Sequence, residues 1–275
     1  MRKENRLLIL AVVLLIVGIT AIFIPVLTMD EEIRQDEEGY QELRIQVENK
    51  AVSMEETPEA SSRPQANVVP ITPSSASPTP ETGKTGVDLA ACKAQNEDFI
   101  AWLQIPGTPV DYPVVSTDDT KYYLNHTFTG KKSYLGTLFS LGKTDYQLPS
   151  QNIAIYGHHI RSNDEVMFSP LLAYKDESYY DGHELIYMDS LYRNGIYRIF
   201  AVINMRNGDW EPSTAVFADD AEFLTFVNQA RAQALYEINV EVNADNEILT
   251  LITCDRSYIP VTGRLVVMAV KQSLK

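Results

Sequence analysis

Cys254, His158 and Arg264 are the residues of this chain best suited to do chemistry together. A cysteine attacks a carbonyl as its thiolate, and an unperturbed thiol with a pKa of ~8.5 is only fractionally ionised near neutral pH. An imidazole can carry the proton in both directions. A guanidinium can offset a developing oxyanion or align a carbonyl in a fixed plane. Sequence separation is no obstacle, because such partners meet in space. Each residue also has a plainer reading. Cys254 can be a small apolar side chain buried at a strand end, or can pair with Cys92, the only other cysteine. His158 can be a structural hydrogen-bonding group, and Arg264 can begin a strand. Residue types and spacing leave this as one candidate cysteine site.

Elements able to position these residues are legible downstream of Val87. Of 26 aromatic residues, 24 lie from Phe99 onward, which locates the stable core. Val87 to Trp102 reads as an opening helix carrying Leu89, Cys92, Phe99 and Trp102 on an apolar side. Short apolar pulses follow at Val110–Val115, Tyr134–Phe139, Ile153–Tyr156, Leu185–Met188, Tyr197–Ile203 and Ile248–Thr253. Gly, Pro, Asn and Asp separate them, as in a mainly β domain. One long helix, from about Asp219 to Tyr236, interrupts the strands; Asp219 or Asp220 caps it, and Phe223, Phe226, Val227 and Ala230 face a core. The last two strands, ending at Cys254 and starting at Arg264, form an antiparallel pair that returns Arg264 toward Cys254.

The amino-terminal third has a different character. Leu7 to Met29 is a 23-residue uncharged stretch, with Arg2, Lys3 and Arg6 before it and Asp30, Glu31 and Glu32 after it. A helix of that length spans a ~30 Å hydrocarbon layer, and the basic flank holds residues 1–6 in the cytoplasm. The absence of a small-residue cleavage site favours a retained anchor over a removable leader. Residues 30–86 read as an acidic, then Pro/Ser/Thr-rich spacer: eleven acidic and three basic residues from Asp30 to Glu59, then 16 Pro, Ser or Thr among the 29 residues from Thr57 to Thr85. Such a stretch has little to bury and reads as solvated. A short helix near Tyr40 to Val52 would have only the incomplete apolar face of Leu43, Ile45, Val47 and Val52.

The formal net charge of −14 argues against a nucleic-acid surface. Four scattered histidines and two cysteines call for no metal, and no nucleotide fingerprint or hydrolase elbow is present, so no cofactor is expected.

Leu251-Ile252-Thr253-Cys254, followed ten residues later by Arg264, resembles the cysteine signature of sortases. Ile155-Tyr156-Gly157-His158-His159 resembles their histidine segment, with His158 in the catalytic place. Trp102 to Thr108, Asp111 to Val115, Tyr122-Tyr123-Leu124-Asn125-His126, Gly136 to Phe139 and Met167 to Leu171 are similar to class B members. Ile252 departs from the small residue common before the Thr-Cys pair.

The resemblance implies an eight-stranded sortase β-barrel over residues 87–275, with amino-terminal helices and one long helix before the cysteine strand. It also implies a membrane-anchored cysteine transpeptidase of a Gram-positive cell surface, with its catalytic domain extracellular. Its donor would be a surface protein with a carboxy-terminal sorting motif, joined through a Thr carbonyl to a peptidoglycan amine. Thr253, Asp255, Tyr122 and Asn125 are expected to support substrate binding. Asp255 can align a loop or influence His158 without being an obligatory third member of a triad, and Arg256 is expected to be solvated or near substrate. Pilin polymerisation, with a lysine as acceptor, and an inactive peptide-binding or wall-scaffolding module are the rival roles.

Overall fold

The computed structural model describes residues 27–48, 84–119, 121–142, 150–191, 194–255 and 263–272. The anchor expected at Leu7–Met29 lies outside them except for its last three residues, as do most of the Pro/Ser/Thr-rich stretch and Arg256. Among the described residues no helix is long and apolar enough to cross a membrane.

Eight strands close into a barrel: β1 (Phe99–Gln104), β2 (Asp111–Thr117), β3 (Leu138–Leu141), β4 (Asn152–Tyr156), β5 (Leu185–Ser190), β6 (Asn194–Arg206), β7 (Ile248–Asp255) and β8 (Gly263–Lys271). Their order around the barrel is β1-β2-β3-β4-β7-β8-β6-β5, with β5 returning to β1. Pairs β2–β3 and β4–β7 are parallel and the others antiparallel. Around this barrel lie helices α1 (27–48), α2 (Leu89–Gln95), α3 (Glu177–Tyr180) and α4 (Asp220–Ala232), with a 3-10 helix at Ser169–Lys175. The expected architecture is therefore present.

Strands β7 and β8 carry apolar residues at nearly every position because both of their faces are covered. Leu249, Leu251, Leu265, Val267 and Ala269 fill the barrel interior. Ile248, Ile252, Val266, Met268 and Val270 point the other way, into a second core with Phe223, Phe226, Val227 and Ala230 of α4. Asp219 caps α4 by accepting from Glu222 N at 2.9 Å. This second core also accommodates Ile252, the residue that departs from the small-residue pattern.

Two expectations need correction. The opening helix is short. Asp88 caps α2, which ends at Asn96, and the backbone then extends, so Phe99 and Trp102 belong to β1 rather than to a helical face. Their bulk fits a strand buried on both sides. Residues 30–48, read as part of a solvated spacer, instead form most of α1 and dock on the barrel. Ile33, Asp36, Tyr40, Leu43 and Val47 recur at helical spacing and are buried, whereas Ile45 is exposed. Asp36 is held by Lys131 at 2.8 Å, and Arg44 reaches Asp111 at 3.1 Å and the Thr85 carbonyl at 2.7 Å.

Phe223 is fully buried where α4 meets β7 and β8. Phe223→Ala should cost about 3–5 kcal/mol in urea unfolding, the usual loss for emptying a buried phenylalanine site.

Candidate active site

The ladder around β7 decides where the three candidate residues fall. Parallel pairing sets Tyr156 opposite Ile252. The register runs one step further through Gly157 N, which donates to the Ile252 carbonyl at 3.1 Å, and Thr253 Oγ1, which donates to the Gly157 carbonyl at 2.8 Å. His158 is thereby level with Cys254. On the other side, antiparallel pairing sets Cys254 directly opposite Arg264. Alternation along each chain does the rest. Gly157 turns toward Leu138 and Phe168, while Thr253 and Leu265 are buried, so the residue following or preceding each of them turns to the opposite face. Cys254, half-buried, and Arg264 share that face, at the end of the barrel where His158 leaves β4.

His158 is fixed from two directions. Its Nε2–H donates to the Leu124 carbonyl at 2.8 Å, and its own carbonyl accepts from Phe168 N at 3.0 Å. With Nε2 carrying the proton, Nδ1 is the nitrogen with an available lone pair. His159 also belongs to the site: its Nδ1–H donates to the Cys254 carbonyl at 3.1 Å, pinning the strand at the thiol. Arg264 donates from Nε to Asn207 Oδ1 at 2.8 Å, and its guanidinium carbon lies 6.0 Å from the centre of the Tyr156 ring. Fixing Nε holds the plane of the remaining donors. Burial raises the Tyr156 phenol above its ordinary value, against a smaller opposing pull from Ser213 and from the Arg264 charge.

The four residues expected to support substrate binding fall into two pairs. Thr253 is buried and serves as a clasp between β7 and the chain entering His158. Asp255 is buried, with its carboxylate 2.5 Å from Lys175 Nζ, tying the end of β7 to the 3-10 helix. Tyr122 and Asn125 lie in the segment that touches His158, but that contact is made by the carbonyl of Leu124. The Tyr122 ring stacks on His126 at 4.1 Å between centroids, and Asn125 Nδ2 donates to the Lys121 carbonyl. Tyr123 anchors this segment by donating to Asp98 at 2.7 Å; burial, then that carboxylate, push its pKa up to about 12. Neither Cys92, fully buried in α2, nor Cys254 is in a disulfide, so the alternative pairing is not formed.

Asn207 and the carbonyl of Leu124 complete the arrangement without standing out in the sequence, whereas Tyr156 and His159 belong to the histidine segment already singled out there. A backbone carbonyl leaves no side-chain signal, and Asn207-Gly208 reads only as a turn.

The arrangement can place a thiol, an imidazole and a guanidinium around one carbonyl. The domain as a whole is similar to known proteins. The sortase domain family matches residues 103–272. Sortase B of Listeria monocytogenes is 29% identical over 192 residues, covering 70% of this chain and 77% of that protein. Sortase B of Staphylococcus aureus is 28% identical over 174 residues, covering 63% of this chain and 70% of that protein. In structure, a Staphylococcus aureus sortase B–substrate complex superposes with a TM-score of 0.71 at 22% identity, covering 89% of this chain and all of the other.

Gly157 has no room for a side chain: an added Cβ would lie 2.5 Å from Leu138 Cδ2 and 2.6 Å from Phe168 Cδ2, both in the packed core. Gly157→Ala should destabilise the fold by about 1–3 kcal/mol, as overpacking does. It should also shift the imidazole NMR signals of His158, which a remote core substitution of equal cost would not do.

Proposed function

From the premise that this chain belongs to the sortase family, is most similar to its class B members and is a sortase-type cysteine transpeptidase acting on surface-protein sorting motifs, we propose that it joins the Thr carbonyl of such a motif to a peptidoglycan amine. The observation that carries the assignment of roles is the register that levels His158 and Arg264 with Cys254 on either side.

In the first stage Cys254 Sγ, its proton passed to Nδ1 of His158, attacks the Thr carbonyl carbon. Arg264, held at Nε by Asn207, directs its remaining donors at the oxygen that gains charge. The tetrahedral adduct collapses as the carbon–nitrogen bond breaks, and His158 gives the departing amine its proton, leaving a thioester on Cys254. In the second stage an acceptor amine attacks the thioester, its proton passes to His158, and the thiolate of Cys254 is released. Nδ1 of His158 handles the proton in both directions while Nε2–H stays on Leu124, so the ring keeps its orientation throughout. No cofactor takes part in these steps.

The uncharged run at Leu7–Met29 supports a retained single-pass anchor, with residues 1–6 cytoplasmic and the barrel outside. Its last residues, 27–29, are already helical in α1. Such an anchor keeps the enzyme where exported donors and membrane-proximal wall precursors meet.

The test is intact-protein mass spectrometry of the chain with candidate sorting peptides and amine acceptors. Wild-type protein should show an acyl adduct on Cys254, and product masses should correspond to wall-fragment amides. Lysine-linked pilin oligomers would indicate the polymerising role instead, and binding without cleavage would indicate a scaffolding module. Cys254→Ala should abolish turnover, and His158→Ala should lower kcat by about 10²–10⁴-fold. Asn207→Ala should reduce kcat/KM by about tenfold, the cost of an unoriented guanidinium, with the melting temperature nearly unchanged.

A further inference from the structure

We propose that helix α1, next to the candidate membrane anchor, positions His158 through two separate arms, so that seating of this helix on the barrel sets the catalytic competence of the enzyme. The proposal rests on the reading of His158 as the proton carrier and deepens it by naming Glu37, Tyr40 and Tyr112 as positioning residues.

The first arm runs through the backbone of His158. Tyr112 lies in β2 with its ring buried, and its hydroxyl donates to Glu37 Oε2 of α1 at 2.9 Å. The same hydroxyl accepts from Met167 N at 3.2 Å. Met167 is the one described non-glycine residue with positive φ, at 51°. Few side chains adopt that conformation without support from their surroundings. This left-handed turn lets Met167 N face Tyr112 while the next amide, Phe168 N, donates to the His158 carbonyl at 3.0 Å. The Phe168 ring simultaneously packs on Gly157. Ser169 Oγ then accepts from Ile160 N at 2.9 Å, closing the far side of the histidine turn.

The second arm runs to the imidazole. Tyr40, one helical turn after Glu37 and so on the same face of α1, is buried edge-on against Tyr112, with ring centroids 5.4 Å apart. Its hydroxyl donates to the Gly136 carbonyl at 2.7 Å, lies 2.9 Å from Thr137 Oγ1, and accepts from Phe128 N at 3.2 Å. Thr137 N donates to the Tyr123 carbonyl, and Thr137 Oγ1 donates to the His126 carbonyl, each at 2.9 Å. Those two carbonyls flank Leu124 and Asn125, and the Leu124 carbonyl holds His158 Nε2. One turn of α1 thus governs both the backbone that carries His158 and the carbonyl that orients its ring.

A helix needed only for solubility or packing would be served by Ile33, Leu43 and Val47. Instead, two polar side chains of one turn lead, through Tyr112 and Thr137, to the two segments that grip a single histidine. Burial raises Glu37, Tyr40 and Tyr112 above their ordinary pKa values, which keeps both phenols as hydroxyl donors at neutral pH.

The experiment uses the full chain in detergent micelles and a quenched fluorescent sorting peptide that the wild-type protein cleaves. Tyr112→Phe and Glu37→Ala each remove the first arm and should lower kcat by about tenfold or more, with KM within about twofold of wild type. Glu37→Gln keeps an acceptor for the Tyr112 hydroxyl and should retain most of the activity. Tyr40→Phe removes the second arm; in long-range proton–nitrogen NMR spectra, which carry only four histidines, it should weaken the Nε2–H signature of His158. Wild-type kcat in both Tyr112→Phe and Glu37→Ala, or an equal loss in Glu37→Gln, would overturn the first arm. An unchanged His158 spectrum in Tyr40→Phe would overturn the second. His158→Ala separates this from the underlying reading. Full turnover in that variant removes the catalytic histidine itself, whereas an inactive His158→Ala beside fully active arm variants removes only the coupling.

Discussion

The hydrogen-bond register of β7 against its two neighbours is the constraint on which the rest of the molecule depends. A one-residue slip along either pairing would send every side chain of that strand to the opposite face. Cys254 would then turn toward the barrel interior and Thr253 toward solvent. Three features hold the register against such a slip. Apolar residues fill both faces of β7, in two separate cores. The pairing with β8 continues unbroken from Ile248 to Asp255. At the site itself, Thr253 and His159 bind across the β4–β7 seam, to the Gly157 and Cys254 carbonyls. Packing far from the chemistry therefore keeps a thiol, an imidazole and a guanidinium on one face.

Placement alone would leave the three side chains free to rotate. The groups that orient them come from segments outside the ladder: Leu124 from the β2–β3 connection, Asn207 from the turn after β6, and Phe168 from the segment leading into the 3-10 helix. Each acts on a different atom, so the site is assembled by convergence of loops onto a rigid sheet end, a common division of labour between scaffold and function. Helix α1 reaches one of these segments directly and a second through the Tyr112 hydroxyl, which makes the stretch after the uncharged run continuous with the barrel end that carries Cys254.

Much of this is legible in the amino-acid sequence. Val266, Val267 and Ile252 announce strands by composition, Asp219 marks the start of α4, and the ten-residue return from Cys254 to Arg264 implies the hairpin. What was not legible has identifiable physical causes. The buried face of α1 includes Asp36 and Tyr40 among its five positions, so its apolar periodicity is faint inside an acidic run, and its docking depends on pairings with Lys131 and Gly136 nearly a hundred residues away. Phe99 and Trp102 suited a helical face as well as a strand; tertiary pairing with Val115 and Pro113 decided the matter. Thr253 and Asp255 sit beside the thiol in sequence, and strand alternation turns both side chains inward, where Thr253 bonds the Gly157 carbonyl and Asp255 meets Lys175, contacts that sequence adjacency does not reveal.

The central claim is that His158 and Arg264 both stand beside the Cys254 thiol. The rate at which iodoacetamide alkylates Cys254 between pH 5 and 9 tests it most directly, because Cys92 is fully buried and does not compete. A guanidinium and an imidazole beside a sulfur alter how fast it reacts, so Arg264→Ala and His158→Ala should each change the alkylation rate across this range. Profiles identical to wild type in both variants would place those groups away from the sulfur and contradict the account.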